Sequence, residues 1–358
     1  MPLVVEGVGG NVVWAGERLG LCDGASRAVG TSVPCINLAL INNMPDVALK
    51  DTESQFFELL DDASDGLLVR LKLLSLSQIP RGDLIQERLG ALYFERDYLW
   101  NTRLDALIVT GMEPCHSDLR QEPYWRSLAE VLEWAKENTL STILSCLAAH
   151  AGVLHSDGIV RNPLPDKQFG VLEVRKVNQH ALTSATDEIL RFPHSRWNDV
   201  RQGALTWSGY SILTQSAEAG VDLFVKRIRK SLFVHFQGHP EYGTSTLLKE
   251  YRRDIRRFLK QERQNYPSMP RDYFDATSIN LLSDFRTDAL SNRSVDLLAR
   301  FPEIAVSGSL RNTWRSSARR IYGNWLQYVL SRKTETLALA ASSAAARAND
   351  MSVSSKIN

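Results

Sequence analysis

The sequence predicts an α/β fold, a three-layer sandwich in which helices cover both faces of a mostly parallel sheet. Two observations carry that expectation. Short apolar runs bounded by polar or turn residues, at 35–41, 67–74, 106–109, 142–144 and 232–236, read as strands. Between them, 51–60, 83–93 and 124–136 carry a helical period, clearest where Leu128, Val131, Leu132 and Ala135 recur at three- and four-residue spacing. Strands that alternate with helices pair in parallel through crossover helices.

Taken in order, residues 1–33 are Gly-rich and weakly patterned, and they read as an N-terminal arm lying on the domain or on a partner subunit. Residues 34–333 form the main domain. Within it 274–312 reads as an irregular insertion, with a helix around 296–301, before a helical period resumes over 314–330. From 334 to 358 the chain becomes an Ala/Ser tract ending in polar residues, expected to stay unpacked as a disordered tail.

With 44% hydrophobic and 23% charged residues in 358 and a formal net charge of +1, no global field favours nucleic acid, and a small ligand is the default. The four cysteines, Cys22, Cys35, Cys115 and Cys146, lack the CxxC spacing of a zinc site and the density of a secreted disulfide framework. A reducing cytoplasm and no metal are expected. Glu6, Gly9, Gly10 and Asn11 interrupt the opening apolar stretch, which reads against a signal peptide, and no run approaches the roughly eighteen apolar residues of a membrane span.

In open parallel sheets ligands sit beyond the carboxyl ends of the strands. The residues there are Asn42-Asn43-Met44-Pro45, Thr110-Gly111-Met112-Glu113-Pro114, Ser145-Cys146-Leu147 and Gln237-Gly238-His239-Pro240-Glu241. Cys146 follows an apolar run and precedes a small-residue helical stretch, which is the strand, turn, helix order of a nucleophile elbow. A helix N-terminus stabilises a thiolate there, and the backbone N–H of Leu147, with that of Met112, forms the expected oxyanion hole. A lone Cys among apolar neighbours also reads as core filling. His239 and Glu241 flank Pro240, so in extended backbone they point to one side and the carboxylate can orient the imidazole: a nucleophile, base and orienter. His150, one helical turn beyond Cys146, is a rival base that also reads as a partly buried helical histidine.

Several motifs together resemble the homoserine O-succinyltransferase family. They are Met44-Pro45 followed by Thr52-Glu53-Ser54-Gln55-Phe56, then Ile108-Val109-Thr110-Gly111, Tyr124-Trp125, and the run from Asn162 through Lys167 to Val171. Pro193-His194-Ser195-Arg196, Gly238-His239-Pro240-Glu241-Tyr242 and Thr313-Trp314-Arg315-Ser316 follow in the family's order and nearly at its spacing, from about Ile36 to about Val329. The resemblance implies a class I glutamine amidotransferase-like (flavodoxin-like) fold and a ping-pong acyl transfer from acyl-CoA, a co-substrate rather than a cofactor. By position it makes Cys146 the acyl-accepting nucleophile, His239 the base and Glu241 its orienter, and it gives Lys167, Ser195 and Arg253 to the substrate. Arg253 suits a substrate carboxylate, and Glu250 on the same predicted helix suits an ammonium. Read alone, Arg253 lies in a charge run typical of a solvated helix face, and Lys167 and Ser195 in ordinary loops.

The departures lie near the same strand ends. The family's Cys-Trp-Gly-Ala-Gln-Ala is Cys146-Leu147-Ala148-Ala149-His150-Ala151 here, so the Ala148 methyl is expected to tighten the elbow or shift its helix. The lysine pair after Met-Pro is replaced by Asp46-Val47, with Lys50 as the candidate substitute cation. Four positions past Gly111, where succinyl users carry a small residue and acetyl users a glutamate, stands Cys115. Succinyl transfer to L-homoserine, in methionine biosynthesis, is therefore the leading expectation, with acetyl the lesser donor. Serine or another amino alcohol is the alternative acceptor, since one methylene is worth only about 1–3 kcal/mol. An amidotransferase-like hydrolase and a non-catalytic scaffold protein are the readings from other classes. The expected partners are small molecules, with no nucleic acid and no membrane; a homodimer is compatible.

Overall fold

A computed structural model of the chain describes residues 3–10, 12–15 and 35–354. In chain order its strands are β1 (Leu3–Glu6), β2 (Val12–Ala15), β3 (Cys35–Ile41), β4 (Leu68–Leu74), β5 (Tyr93–Phe94), β6 (Ala106–Val109), β7 (Ser141–Ser145), β8 (Asn162–Lys176), β9 (Ile189–Asp199), β10 (Ser211–Ser216), β11 (Gly220–Ile228) and β12 (Ser231–Phe236). The helices are α1 (Asp46–Ser64), α2 (Asp83–Leu92), α3 (Trp125–Asn138), α4 (Leu147–Asp157), α5 (Gln202–Trp207), α6 (Thr246–Leu259), α7 (Ala276–Ser291), α8 (Glu303–Ser307) and α9 (Arg315–Ser354).

All the strands join one twelve-stranded sheet in the order β2, β1, β4, β3, β6, β7, β12, β11, β10, β8, β9, with β5 paired to β4. From β1 to β12 neighbouring strands run parallel; from β12 to β9 they are antiparallel. The five apolar runs of the sequence are β3, β4, β6, β7 and β12, the parallel centre, where burial on both faces suppresses polar alternation except at Arg70 and Lys72 of β4. Alternation decides which layer each side chain joins. Ile36, Leu38 and Leu40 of β3 pack with α1, α6 and α9, while Ala39 and Ile41 pack with α3 and α4 on the opposite face.

The antiparallel half was not legible as strands. Its main ribbon, β8 with β9, keeps register from Gln168↔Arg196 to Arg175↔Ile189 but mixes polar and apolar residues, because its near end projects toward the ligand side. Three further differences concern the edges. Leu3–Glu6, placed in a weakly patterned arm, pairs in parallel with β4; the rest of that arm, Cys22 included, lies largely outside the described residues. Within 274–312, α7 forms behind an Asp275 cap whose side chain accepts from the backbone N–H of Ser278, and the expected helix at 296–301 is a 3-10 turn at Val295–Arg300. The tract from 334, expected as a disordered tail, continues α9 to Ser354, as suits the high helix propensity of alanine. Trp314, Ile321, Tyr322, Trp325 and Leu326 bury the start of that helix, whereas Leu337 and Leu339 are exposed. Among the described residues no helix is long and apolar enough to cross a membrane.

Candidate functional site

The register of the central strands sets the site. Ile41 is level with Val109, Val109 with Leu144, and Phe236 with Ser145. Thr110, Cys146 and Gln237, each the next residue or the one after, therefore emerge side by side at the carboxyl edge. Thr110 and Cys146 open on a cleft of about 590 Å³, lined also by His239, Glu241, Lys167, Ser195, Glu250 and Arg253, among others.

Cys146 sits between β7 and α4 with φ 50° and ψ −107°, a conformation L side chains rarely adopt. Its N–H is held by the carbonyl of Phe236 at 2.7 Å, and its own carbonyl accepts from Ala149 N at 3.0 Å, so α4 starts directly at the cysteine. Gly111 backs the turn: a Cβ there would lie 2.9 Å from the Leu147 nitrogen, closer than real Cβ atoms come. Leu147 and Met112 both line the cleft with Cys146. The Ala148 methyl packs into the core on the α3 side, so the departure at that position leaves the elbow in place.

His239 follows β12, its backbone N–H donating to the Pro193 carbonyl at 2.7 Å. Nδ1 lies 2.9 Å from Oε1 of Glu241, and the Ser145 hydroxyl donates to that same oxygen at 2.9 Å. Glu241 Oε2 is buried without a hydrogen-bond partner among the described residues. The other ring nitrogen of His239 is left on the side of the cleft that Cys146 also lines. Burial alone would lower the imidazole, but Cys146 and Glu241 outweigh it and raise His239 well above its ordinary value. The three residues expected as nucleophile, base and orienter are thus brought together. His150 is not a comparable base: it is buried, hydrogen-bonded through Nε2 to Gln237 Oε1 at 2.7 Å, and pushed down to about 4 by desolvation.

Across the cleft, α6 presents Glu250, Arg253, Asp254 and Arg257 at helical spacing. Lys167, on β8, donates to Asp254 Oδ2 at 3.0 Å and lies 3.7 Å from Glu250 Oε2. Ser195, on β9, donates to Glu250 Oε2. Arg253 lies 3.1 Å from Asp254 Oδ1 and 3.8 Å from Glu250 Oε2, yet its side chain stays 42% exposed, open to a ligand carboxylate. Burial would raise the Asp254 carboxyl, but Lys167 and Arg253 hold it below its usual range.

Two expected residues are not in the cleft. Cys115 is exposed and lies outside the lining, although Glu113 and Pro114 just before it belong to it. Lys50 is exposed on α1 and also lies outside it, while Asp46, in the place of the missing lysine, is taken up by Arg81 at 3.1 Å and by Gly82 N at 2.8 Å. Sequence reasoning missed Tyr242, Asp254, Ser145 and Arg161. Tyr242 stacks on His239 with ring centroids 4.1 Å apart and donates to Glu250 Oε1 at 2.6 Å. Its place directly after the His-Pro-Glu motif was the available signal.

The chain matches the family model described as homoserine O-succinyltransferase over residues 21–336. It is 45% identical over 305 residues to the homoserine O-succinyltransferase of Rhodopseudomonas palustris, covering 85% of this chain and 91% of that protein. To that of Methylorubrum extorquens it is 43% identical over 297 residues, covering 83% and 88%. Among solved structures it is similar to a glutamine amido transferase from Methylobacillus flagellatus, with a TM-score of 0.46, 12% identity, and 83% and 96% of the two chains covered.

Proposed function

This chain belongs to the homoserine O-succinyltransferase family of acyltransferases, and from that premise we propose that it moves a succinyl group from succinyl-CoA to the hydroxyl of L-homoserine through a thioester on Cys146. The observation that carries the reading is the strained cysteine at the head of α4, sharing one cleft with an imidazole that Glu241 orients.

In the first half-reaction His239 takes the thiol proton and the sulfur attacks the thioester carbonyl carbon. The oxyanion that forms is met by the backbone N–H groups of Leu147 and Met112. As the intermediate collapses, the carbon–sulfur bond to CoA breaks and the departing thiolate takes the proton from His239. In the second, His239 accepts the homoserine hydroxyl proton, the oxygen attacks the acyl-enzyme, and the Cys146 sulfur leaves and is reprotonated. Arg253 receives the amino acid's carboxylate and Glu250 its ammonium, with Lys167 and Ser195 holding Glu250 in position. The product serves methionine biosynthesis, and the cytoplasm is the compartment we assign.

Intact-mass analysis tests this. Succinyl-CoA should add one succinyl group to the wild type and none to Cys146→Ala, and added homoserine should discharge it. A wild type that stays at its unmodified mass with both succinyl-CoA and acetyl-CoA removes the thioester from the mechanism.

A further inference from the structure

We propose that Arg161 reads the acyl donor, its guanidinium receiving the distal carboxylate of a succinyl group carried on Cys146. The inference rests on the acyl-enzyme reading above. The other cations lining the cleft each stand beside a carboxylate of the chain, Arg253 included, although its exposed side leaves it the amino acid's carboxylate. Lys167 and Arg253 pair with Asp254 and Glu250, Arg257 pairs with Glu113 through two bonds of 2.9 Å, Arg263 lies 3.9 Å from Asp254, and buried Arg196 lies 3.2 Å from Asp199.

Arg161 differs. It immediately precedes β8 and lines the cleft with Cys146. Its Nη2 donates to the carbonyls of His116 at 2.8 Å and Ser117 at 3.0 Å, and its Nε to Ser117 at 3.2 Å. Among the described residues no carboxylate comes within ion-pair distance of it, and Nη1 has no hydrogen-bond partner there. Glu122 acts on it only at longer range, its Oε1 being taken by the His116 N–H at 2.6 Å. The guanidinium is half-buried, and burial lowers its pKa while Tyr124, Glu122 and Cys146 act in the opposite direction. A desolvated cation held rigid by carbonyl oxygens and lacking a counter-ion is an anion site.

The anion's identity follows from reach. Cys146 and Arg161 line the same cleft. In a succinyl thioester two methylenes separate the carboxylate from the carbonyl carbon, so the distal charge comes to rest near the sulfur, whereas the phosphates of CoA lie beyond the whole pantetheine arm. The loop that pins Arg161 also carries Cys115. Sequence pointed to donor choice at that position, and its side chain does not reach the cleft. Donor selection therefore passes to the arginine that this loop holds.

The test measures acyl-enzyme formation by intact mass against time, for the wild type, Arg161→Gln and Arg161→Lys, with succinyl-CoA and acetyl-CoA. The wild type is also given the methyl ester of succinyl-CoA, a neutral isostere. Arg161→Gln should lower the succinyl-over-acetyl preference about ten- to a hundredfold, Arg161→Lys should restore most of it, and the methyl ester should acylate the wild type correspondingly slowly. The proposal is overturned if Arg161→Gln slows both donors alike, if the wild type prefers acetyl-CoA, or if the methyl ester reacts as fast as succinyl-CoA. The ester comparison decides the matter even if the glutamine variant does not fold. A wild type acylated by no donor removes the thioester reading itself, a result seen before any variant is made.

Discussion

The phenol of Tyr242 donates a 2.6 Å hydrogen bond to Oε1 of Glu250 while its ring lies against His239, so one side chain spans the two halves of the cleft. Its backbone is fixed from behind, the Trp314 indole donating to the Tyr242 carbonyl at 2.8 Å. Tyr242→Phe keeps the stack and removes only the bond to Glu250. A hydrogen bond to a charged group is worth about 1.5–3 kcal/mol, so kcat/KM for homoserine should fall about tenfold or more. Acylation by succinyl-CoA should change by less than about threefold, because Glu250 takes no part in that step. Equal losses in both half-reactions would assign Tyr242 to His239 alone.

Cys146 at φ 50° and ψ −107° holds strain that glycine would not. Residues in such regions cost about 1–3 kcal/mol each. Cys146→Gly should therefore be more stable than Cys146→Ala in urea unfolding by about 1 kcal/mol, reversing the usual order of the two residues. Both variants should be silent in acyl-enzyme formation.

His239→Ala should slow both half-reactions about 10²–10⁴-fold, as for a shared base. His150→Gln should retain acylation to within about tenfold, since a buried imidazole at about 4 is already neutral at working pH. Stability carries a second signature. Cys146 and Glu241 raise His239, so the stabilisation is complete below the unfolded value of about 6.5 and disappears as pH climbs through the higher folded value. Removing the sulfur removes part of the cause. Cys146→Ala should lose less stability than the wild type between neutral and alkaline pH, as unfolding at a series of pH values will record.

The sequence exposed the parallel centre because β3, β6, β7 and β12 are largely buried on both faces, and β4, although Arg70 and Lys72 interrupt it, still reads as an apolar run. It exposed Cys146, His239 and Glu241 because ligand chemistry collects where such strands end. β8 and β9 stayed hidden because one end of that ribbon carries Lys167 and Ser195 toward the cleft, which breaks the apolar pattern. Asp254 was masked by the charge run around it, where only tertiary contact with Lys167 separates a cleft face from a solvated one, and Arg253 stood out from that run only through the family resemblance. Arg161 carried no local signal at all, since its role depends on the carbonyls of a loop more than forty residues earlier.

Beneath His239 lies a buried carboxylate that sets a pH dependence of opposite origin. Asp222 accepts from Gly238 N at 2.9 Å through Oδ1 and from the Thr214 hydroxyl at 3.1 Å through Oδ2, with His194 Nε2 3.5 Å away. Gly238 has no room for a side chain, since a Cβ would lie 2.8 Å from Asp222 Oδ1. Burial raises the Asp222 carboxyl to about 6, against the opposing pull of the Gly238 and Thr214 hydrogen bonds and of Arg196 and His239. Its contribution is complete below the unfolded value of about 3.9 and is lost as pH rises through 6, on the order of 2–3 kcal/mol. Asp222→Asn preserves the shape and cannot ionise. Its stability relative to the wild type should therefore rise between about pH 4 and pH 6 and level off above, as urea unfolding across that range will show; a difference that stays flat with pH would mean that Asp222 does not titrate there.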